Sequence, residues 1–172
     1  MNHVELAHQL KSIKMLVLDV DGVLTDCRIY MDSNGEWKRF FSIRDGVGIK
    51  RLAEAGYKLA VITGSQANDI RARVKVLGIH YFYEGALDKE PSFKQLQMDS
   101  GIQPHEMAYV GDDIFDIPLI EKVGFGATVP EAVEEVFESV KYVTKRPGGN
   151  GAVREVCDLI YKYGFWSKKG ST

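Results

Sequence analysis

The sequence predicts an α/β fold, a Rossmann-like parallel sheet with helices on both faces. Three observations carry that expectation. Short apolar runs alternate with longer segments of helical periodicity along most of the 172 residues, the pattern of strand–helix–strand units joined by right-handed crossovers. Several of those runs break abruptly into carboxylates, hydroxyls or glycines, as strands do where they open onto the rim of a parallel sheet. The length suits one domain with a substantial core, so a single domain over residues 1–172 is expected.

Residues 15–20 form the first expected strand, ending in Asp19-Val-Asp21 and Gly22. Residues 49–55 read as a helix closed by Gly56. Residues 58–63 are the second strand, residues 68–77 a helix ending at Gly78, and residues 80–83 a short aromatic strand. Pro91 suits the first turn of a helix running to Ser100 and Gly101. Residues 107–111 make the fourth strand, and a helix from about 114 to 123 carries Pro118 near its start. Residues 125–129 are a fifth strand, 131–137 a helix, 142–144 an edge strand, and 152–163 an amphipathic closing helix.

One stretch breaks the rhythm. Residues 28–41 place two β-like arms around Asp32-Ser-Asn-Gly35, a good hairpin turn. This insertion, about residues 26–42, follows the first strand directly and so projects from the carboxylate rim. Its aromatics, Tyr30, Trp37, Phe40 and Phe41, are many for a solvated flap and predict a packed interface with another subunit.

Composition narrows the classes. With 22 basic and 24 acidic residues the net charge is −2, which gives no footprint for nucleic acid and no membrane-attracting patch. No apolar run approaches the ~20 residues of a transmembrane helix, and residues 1–6 lack a basic-then-apolar leader. Cys27 and Cys157 lie far apart in no metal-type spacing, as free thiols of a reducing cytoplasm would. His3, His8, His80 and His105 are scattered and offer no zinc cluster. A cytoplasmic protein is expected, without nucleic-acid or membrane partner.

The strand ends hold the chemistry. The first gives Asp19 and Asp21, the second Thr63-Gly64-Ser65, and the fourth Gly111-Asp-Asp-Ile-Phe-Asp116; Lys89 lies in the loop after the third. Any one of these is common as a cap or turn. On one rim together they make a carboxylate cage with a hydroxyl and a lysine, which is what a hard divalent cation and a phosphate need jointly.

In order and spacing these four motifs resemble those of the haloacid dehalogenase superfamily of phosphohydrolases. The resemblance implies that Asp19 is a nucleophile forming an aspartyl phosphate, and that Asp21 is the general acid and base. It further implies that Asp19, Asp112 and the backbone carbonyl of Asp21 hold Mg²⁺, with Asp113 and Asp116 behind them holding water and Lys89. Thr63 and Lys89 would hold the phosphoryl oxygens. The hairpin, Ser42-Ile-Arg-Asp-Gly46 and Arg146-Pro-Gly-Gly-Asn-Gly151 are similar to the 3-deoxy-D-manno-octulosonate 8-phosphate phosphatase family of lipopolysaccharide precursor biosynthesis. That similarity implies a capless fold and a homotetramer in which the hairpin and tail of neighbours close each site, residues 148–151 being such a flexible tail element. It assigns substrate contacts to Asp21, Ser42, Ile43, Arg44, Asp45, Gly46, Lys50, Ser65, Arg73 and Lys89. Two positions depart from the family pattern: Ser65 stands where arginine is usual, and Lys50 where arginine is frequent. A serine cannot replace a bidentate guanidinium, so a nine-carbon sugar acid 9-phosphate remains the alternative substrate. From another class, a phospho-accepting receiver module shares the acidic pocket, threonine and lysine. Its phosphorylated aspartate follows the third strand, however, where Tyr83-Glu-Gly-Ala-Leu-Asp88 has none directly at the strand end.

Overall fold

A computed structural model describes residues 3–166; the first two residues, where the leader reading begins, and the last six of the expected 1–172 span lie outside the described residues. In chain order the helices are α1 (His3–Leu10), α2 (Ile43–Glu54), α3 (Asn68–Leu77), α4 (Glu90–Ser100), α5 (Ile117–Ile120) and α6 (Ala152–Tyr163). The strands are β1 (Met15–Leu18), β2 (Ile29–Met31), β3 (Trp37–Arg39), β4 (Lys58–Ile62), β5 (Tyr81–Tyr83), β6 (Met107–Val110), β7 (Phe125–Thr128) and β8 (Tyr142–Val143). Six strands form one parallel sheet in the order β5-β4-β1-β6-β7-β8.

β1 is central, with β4 and β6 hydrogen-bonded on either side, so all four of its residues are buried. Side chains alternate across a strand. Leu16 and Leu18 therefore enter the core beneath α1, α2, α3 and α6, whereas Met15 and Val17 enter a second core with Phe93 and Leu96 of α4 and Leu119 and Ile120 of α5. Helices thus cover both faces, and the carboxyl ends of β1, β4 and β6 share one rim.

α2 begins at Ile43, six residues before the expected start, capped by the Ser42 hydroxyl, which accepts from the Asp45 amide at 3.3 Å. Gly46 and Gly48 disguise this helix in the sequence because glycine disfavours helix interiors. Packing demands one of them: a Cβ on Gly48 would lie 2.8 Å from Arg154 Cδ and 3.1 Å from Cys157 Cβ of α6. The expected helix over 114–123 is instead a 3₁₀ turn, Ile114–Asp116, followed by the short α5, with Pro118 in its first turn. The segment expected as a helix over 131–137 is the 3₁₀ run Glu134–Glu138. α1 has no counterpart in the sequence reading.

β2 and β3 pair antiparallel, Ile29 opposite Arg39 and Met31 opposite Trp37, and the Asp32 carboxylate accepts from the amides of Asn34 and Glu36 at the turn. Tyr30, Trp37 and Phe40 are exposed, Tyr30 and Phe40 stacking at 5.0 Å. Phe41 is not part of that surface: it is half-buried against the core, 5.7 Å from the Arg73 guanidinium. Nor are residues 148–151 a free tail. The Gly149 amide donates to the Val23 carbonyl at 3.0 Å, and a Cβ on Gly148 would lie 1.7 Å from the Gly22 oxygen, so this run is seated on the loop after β1 of its own chain. No helix among the described residues is long and apolar enough to cross a membrane.

Candidate active site

Asp19 continues the β1 ladder, its amide donating to the Val110 carbonyl at 3.0 Å, which fixes its carboxylate at the rim. Lys89, just before α4, reaches the same place: its Nζ lies 2.9 Å from Asp19 Oδ1 and 2.5 Å from Asp116 Oδ1. Lys89 is 4% exposed and Asp116 fully buried. A buried carboxylate is costly unless every lone pair is used, and here they are: Tyr109 Oη donates to Asp116 Oδ1 at 2.6 Å, and the amides of Asp112 and Asp113 donate to Oδ2 at 2.9 and 3.1 Å. Asp113 does not share in holding the lysine; it caps the 3₁₀ turn, accepting from the Ile114 amide at 2.6 Å.

Asp112 approaches the loop after β1 because position 22 is glycine. Gly22 has φ +81°, and a Cβ there would lie 1.8 Å from Asp112 Oδ2. One carboxylate oxygen from each of Asp19, Asp112 and Asp116 falls within 4.8 Å of the others. Burial and this proximity show in the protonation of Asp19 and Asp112. Asp19 is pushed up to about 7 by burial, Lys89 pulling down and Asp116 adding to the rise. Asp112 is also raised to about 7, by burial first and then by Asp19, Asp116 and Asp113. A divalent cation relieves such repulsion. The donor set fits Mg²⁺: all oxygen, with Asp19 and Asp112 available while Asp116 is already spent on Lys89, Tyr109 and two amides.

The Asp21 side chain lines the same cavity outside this cluster and is held from the hairpin. Its Oδ1 accepts from Arg39 Nε at 2.5 Å, and its Oδ2 accepts from Arg39 Nη2 at 3.2 Å and from Ser65 Oγ at 2.7 Å. Both oxygens of the Asp21 carboxylate are thus engaged by the hairpin arginine and by Ser65. Thr63 is buried at the end of β4, its hydroxyl accepting from the Ser65 amide at 3.2 Å. Asp19, Asp21, Thr63, Ser65, Lys89 and Asp112 wall a cavity of about 260 Å³. A second cavity of about 460 Å³, against Arg28, Glu131 and Asn150, shares Cys27 and Asp112 with the first, so the two form one trough.

The remaining expected substrate residues do not line this trough in their own chain. Ser42 caps α2, while Ile43, Arg44 and Lys50 are exposed on it. Asp45 is buried and accepts from the amides of Gly151 and Arg154 at 3.3 and 2.7 Å, so it anchors α6 to α2 rather than facing a ligand. Gly46 makes room for Arg73, whose Nη2 donates to the Ser42 carbonyl at 2.8 Å. Two site residues escape sequence reasoning. Tyr109 sits in a fully buried strand and reads as core; its hydroxyl, needing a partner there, was the available signal. Arg39 reads as one more polar position on a hairpin and reveals itself only when the hairpin folds back.

Comparison with known proteins shows what the chain is similar to. Residues 43–124 match the family model of haloacid dehalogenase-like hydrolases. The 3-deoxy-D-manno-octulosonate 8-phosphate phosphatase KdsC of Escherichia coli K12 is 44% identical over 150 residues, covering 87% of this chain and 80% of that protein. The crystal structure of the Moraxella catarrhalis 3-deoxy-D-manno-octulosonate 8-phosphate phosphatase, in complex with magnesium, phosphate and KDO, superposes with a TM-score of 0.91 at 38% identity, covering 96% of this chain and 97% of that one. The cobalt-bound deoxy-D-mannose-octulosonate 8-phosphate phosphatase of Haemophilus influenzae gives 0.87 at 38% identity, with 95% and 96% covered.

Proposed function

The chain belongs to the haloacid dehalogenase superfamily and, within it, to the 3-deoxy-D-manno-octulosonate 8-phosphate phosphatase family, and we propose that it hydrolyses that eight-carbon sugar acid phosphate to the free sugar acid and phosphate, a step toward lipopolysaccharide precursors. The observation that carries this reading is Asp19 held at the rim by a buried lysine, with Asp112 beside it and Asp21 lining the same cavity.

Asp19 attacks phosphorus in line; the bond from phosphorus to the sugar oxygen breaks and an aspartyl phosphate forms. Asp21 delivers a proton to the departing alkoxide, then takes one from the water that attacks phosphorus, releasing phosphate and restoring Asp19. Lys89, kept in place by Asp116 and Tyr109, and the Thr63 hydroxyl steady the phosphoryl oxygens as charge redistributes. Asp19, Asp112 and the Asp21 carbonyl are the residues that would hold Mg²⁺, which when bound lets an anionic carboxylate approach an anionic phosphate. Asp116 stands behind them, holding Lys89.

The assembly belongs to the same reading. Ile29, Met31, Trp37 and Phe40 leave an apolar hairpin surface exposed, and Ile43 and Val47 leave another on α2. A homotetramer would bury them, with the hairpin of one copy closing the site of the next; light scattering at four chain masses is the expected result, and a fully active monomer would refute it. A reducing cytoplasmic setting suits the unpaired Cys27 and Cys157. The receiver reading gains nothing from the geometry, since the buried lysine pairs with Asp19 after β1. Ser65, committed to Asp21, keeps the nine-carbon alternative alive because it offers no guanidinium to the sugar.

The test is phosphate release from the octulosonate 8-phosphate and from nine-carbon sugar acid 9-phosphates, with Mg²⁺ or with chelator. The eight-carbon ester is expected to lead by roughly 10- to 100-fold in kcat/KM, the scale on which a pocket separates near-homologous substrates, and chelation to stop both reactions. A nine-carbon lead would replace the substrate, and equal weak rates on all would discard the sugar acid class.

A further inference from the structure

We propose that Arg39 is the positioning residue of the proton-transfer step, clamping the Asp21 carboxyl at the trough. This inference rests on the reading of Asp21 as the general acid and base.

The geometry is specific. β3 lies on a hairpin whose apolar residues face solvent, yet the Arg39 side chain is only 9% exposed. It points inward and spans from the start of α3 to the active-site wall. Asp69, in the first turn of α3, accepts from the Arg39 amide at 2.9 Å and from Nη1 at 3.3 Å. Nε and Nη2 then grip both oxygens of Asp21 at 2.5 and 3.2 Å, while Nη2 also reaches Ser65 Oγ at 3.2 Å. Ser65 closes the triangle by donating to Asp21. Every guanidinium nitrogen thus has a partner within the protein. A planar fork with all its directions used acts as a clamp, not as an open receptor for a substrate anion.

Without Arg39, one hydroxyl would hold a carboxyl that swings on two side-chain torsions. A misplacement of about 1 Å costs about 100-fold in rate even when the group remains present. The loss should fall on the step in which Asp21 protonates the leaving group. An alkoxide needs that proton, whereas p-nitrophenolate leaves without it.

The experiment compares wild type, Arg39→Gln and Arg39→Lys in rapid-quench measurements of ester cleavage, with 3-deoxy-D-manno-octulosonate 8-phosphate and with p-nitrophenyl phosphate, after circular dichroism has shown each variant folded. For Arg39→Gln the first-turnover rate on the sugar ester should fall roughly 10- to 100-fold, part of the ~10²–10⁴ that a positioned acid supplies. The nitrophenolate burst should stay within about 3-fold and the sugar ester's KM should hardly move, because the acid assists only the poor leaving group. Arg39→Lys should recover part of the loss. Equal losses on both esters would make Arg39 a structural residue, and a rise confined to the sugar ester's KM would make it a receptor for the sugar carboxylate; either overturns the proposal, as does an unchanged Arg39→Gln. Wild-type protein that cleaves neither ester would instead overturn the functional reading, and this inference with it.

Discussion

Asp19→Asn is expected to abolish phosphate release while leaving the protein at least as stable as before. The first half follows from the role: an amide cannot form the covalent phosphoenzyme, and removal of a covalent nucleophile costs roughly 10⁵-fold or more. The second half follows from the environment. Burial and the nearby Asp116 already push the Asp19 carboxyl up to about 7, so its charge is carried at a cost. Asparagine removes that charge and leaves Lys89 its shorter contact, to Asp116 at 2.5 Å. Thermal melting should therefore show no loss, or a modest gain in metal-free buffer. Ordinary turnover by this variant would refute the nucleophile, and a collapse of the melting temperature would refute the account of its surroundings.

Lys89→Met should have the opposite profile, losing stability and activity together. Lys89 is the cation shared by Asp19 and the fully buried Asp116. Breaking a buried pair by deleting one partner costs about 3–5 kcal/mol, a large share of the ~5–15 kcal/mol that holds a typical domain together. Tyr109 and two amides continue to serve Asp116, which places the expected loss at the lower end, about 3 kcal/mol by urea denaturation. Turnover should drop by roughly 10²–10³, the effect of removing one preorganised donor. Adding Asp116→Asn to this variant removes the orphaned charge and should return part of the stability but none of the activity. A Lys89→Met protein as stable as wild type would contradict the buried-pair account.

How much of this was legible in the sequence depends on how local each feature is. The rim motifs were, because a strand end is a local event: Asp19, Thr63 and Asp112 each sit at or just past a buried apolar run. The closing helix declared itself by its amphipathic pattern, and the helix after β4 by the glycine that ends it. α2 did not, since Gly46 and Gly48 argue against a helix locally, and the residues whose packing demands a glycine at 48, Arg154 and Cys157, lie far along the chain. Residues 42–46, given substrate contacts by family resemblance, form a capped first turn in their own chain, with Asp45 spent on α6. The segment expected as a helix over 131–137 forms only the 3₁₀ run Glu134–Glu138. Arg39 was illegible for the same reason as α2. Its partners, Asp21 and Asp69, stand 18 and 30 residues away, and nothing within the hairpin's own pattern selects them.

The most direct measurement of the central claim is to mix the Asp21→Asn variant with the octulosonate 8-phosphate and Mg²⁺, quench in acid, and map the protein by mass spectrometry. Cleavage slowed but not abolished, with water activation slower still, should leave a phosphoryl group on the peptide containing Asp19. A phosphoryl group on any other residue, or phosphate released without a phosphoprotein in both wild type and variant, would contradict it.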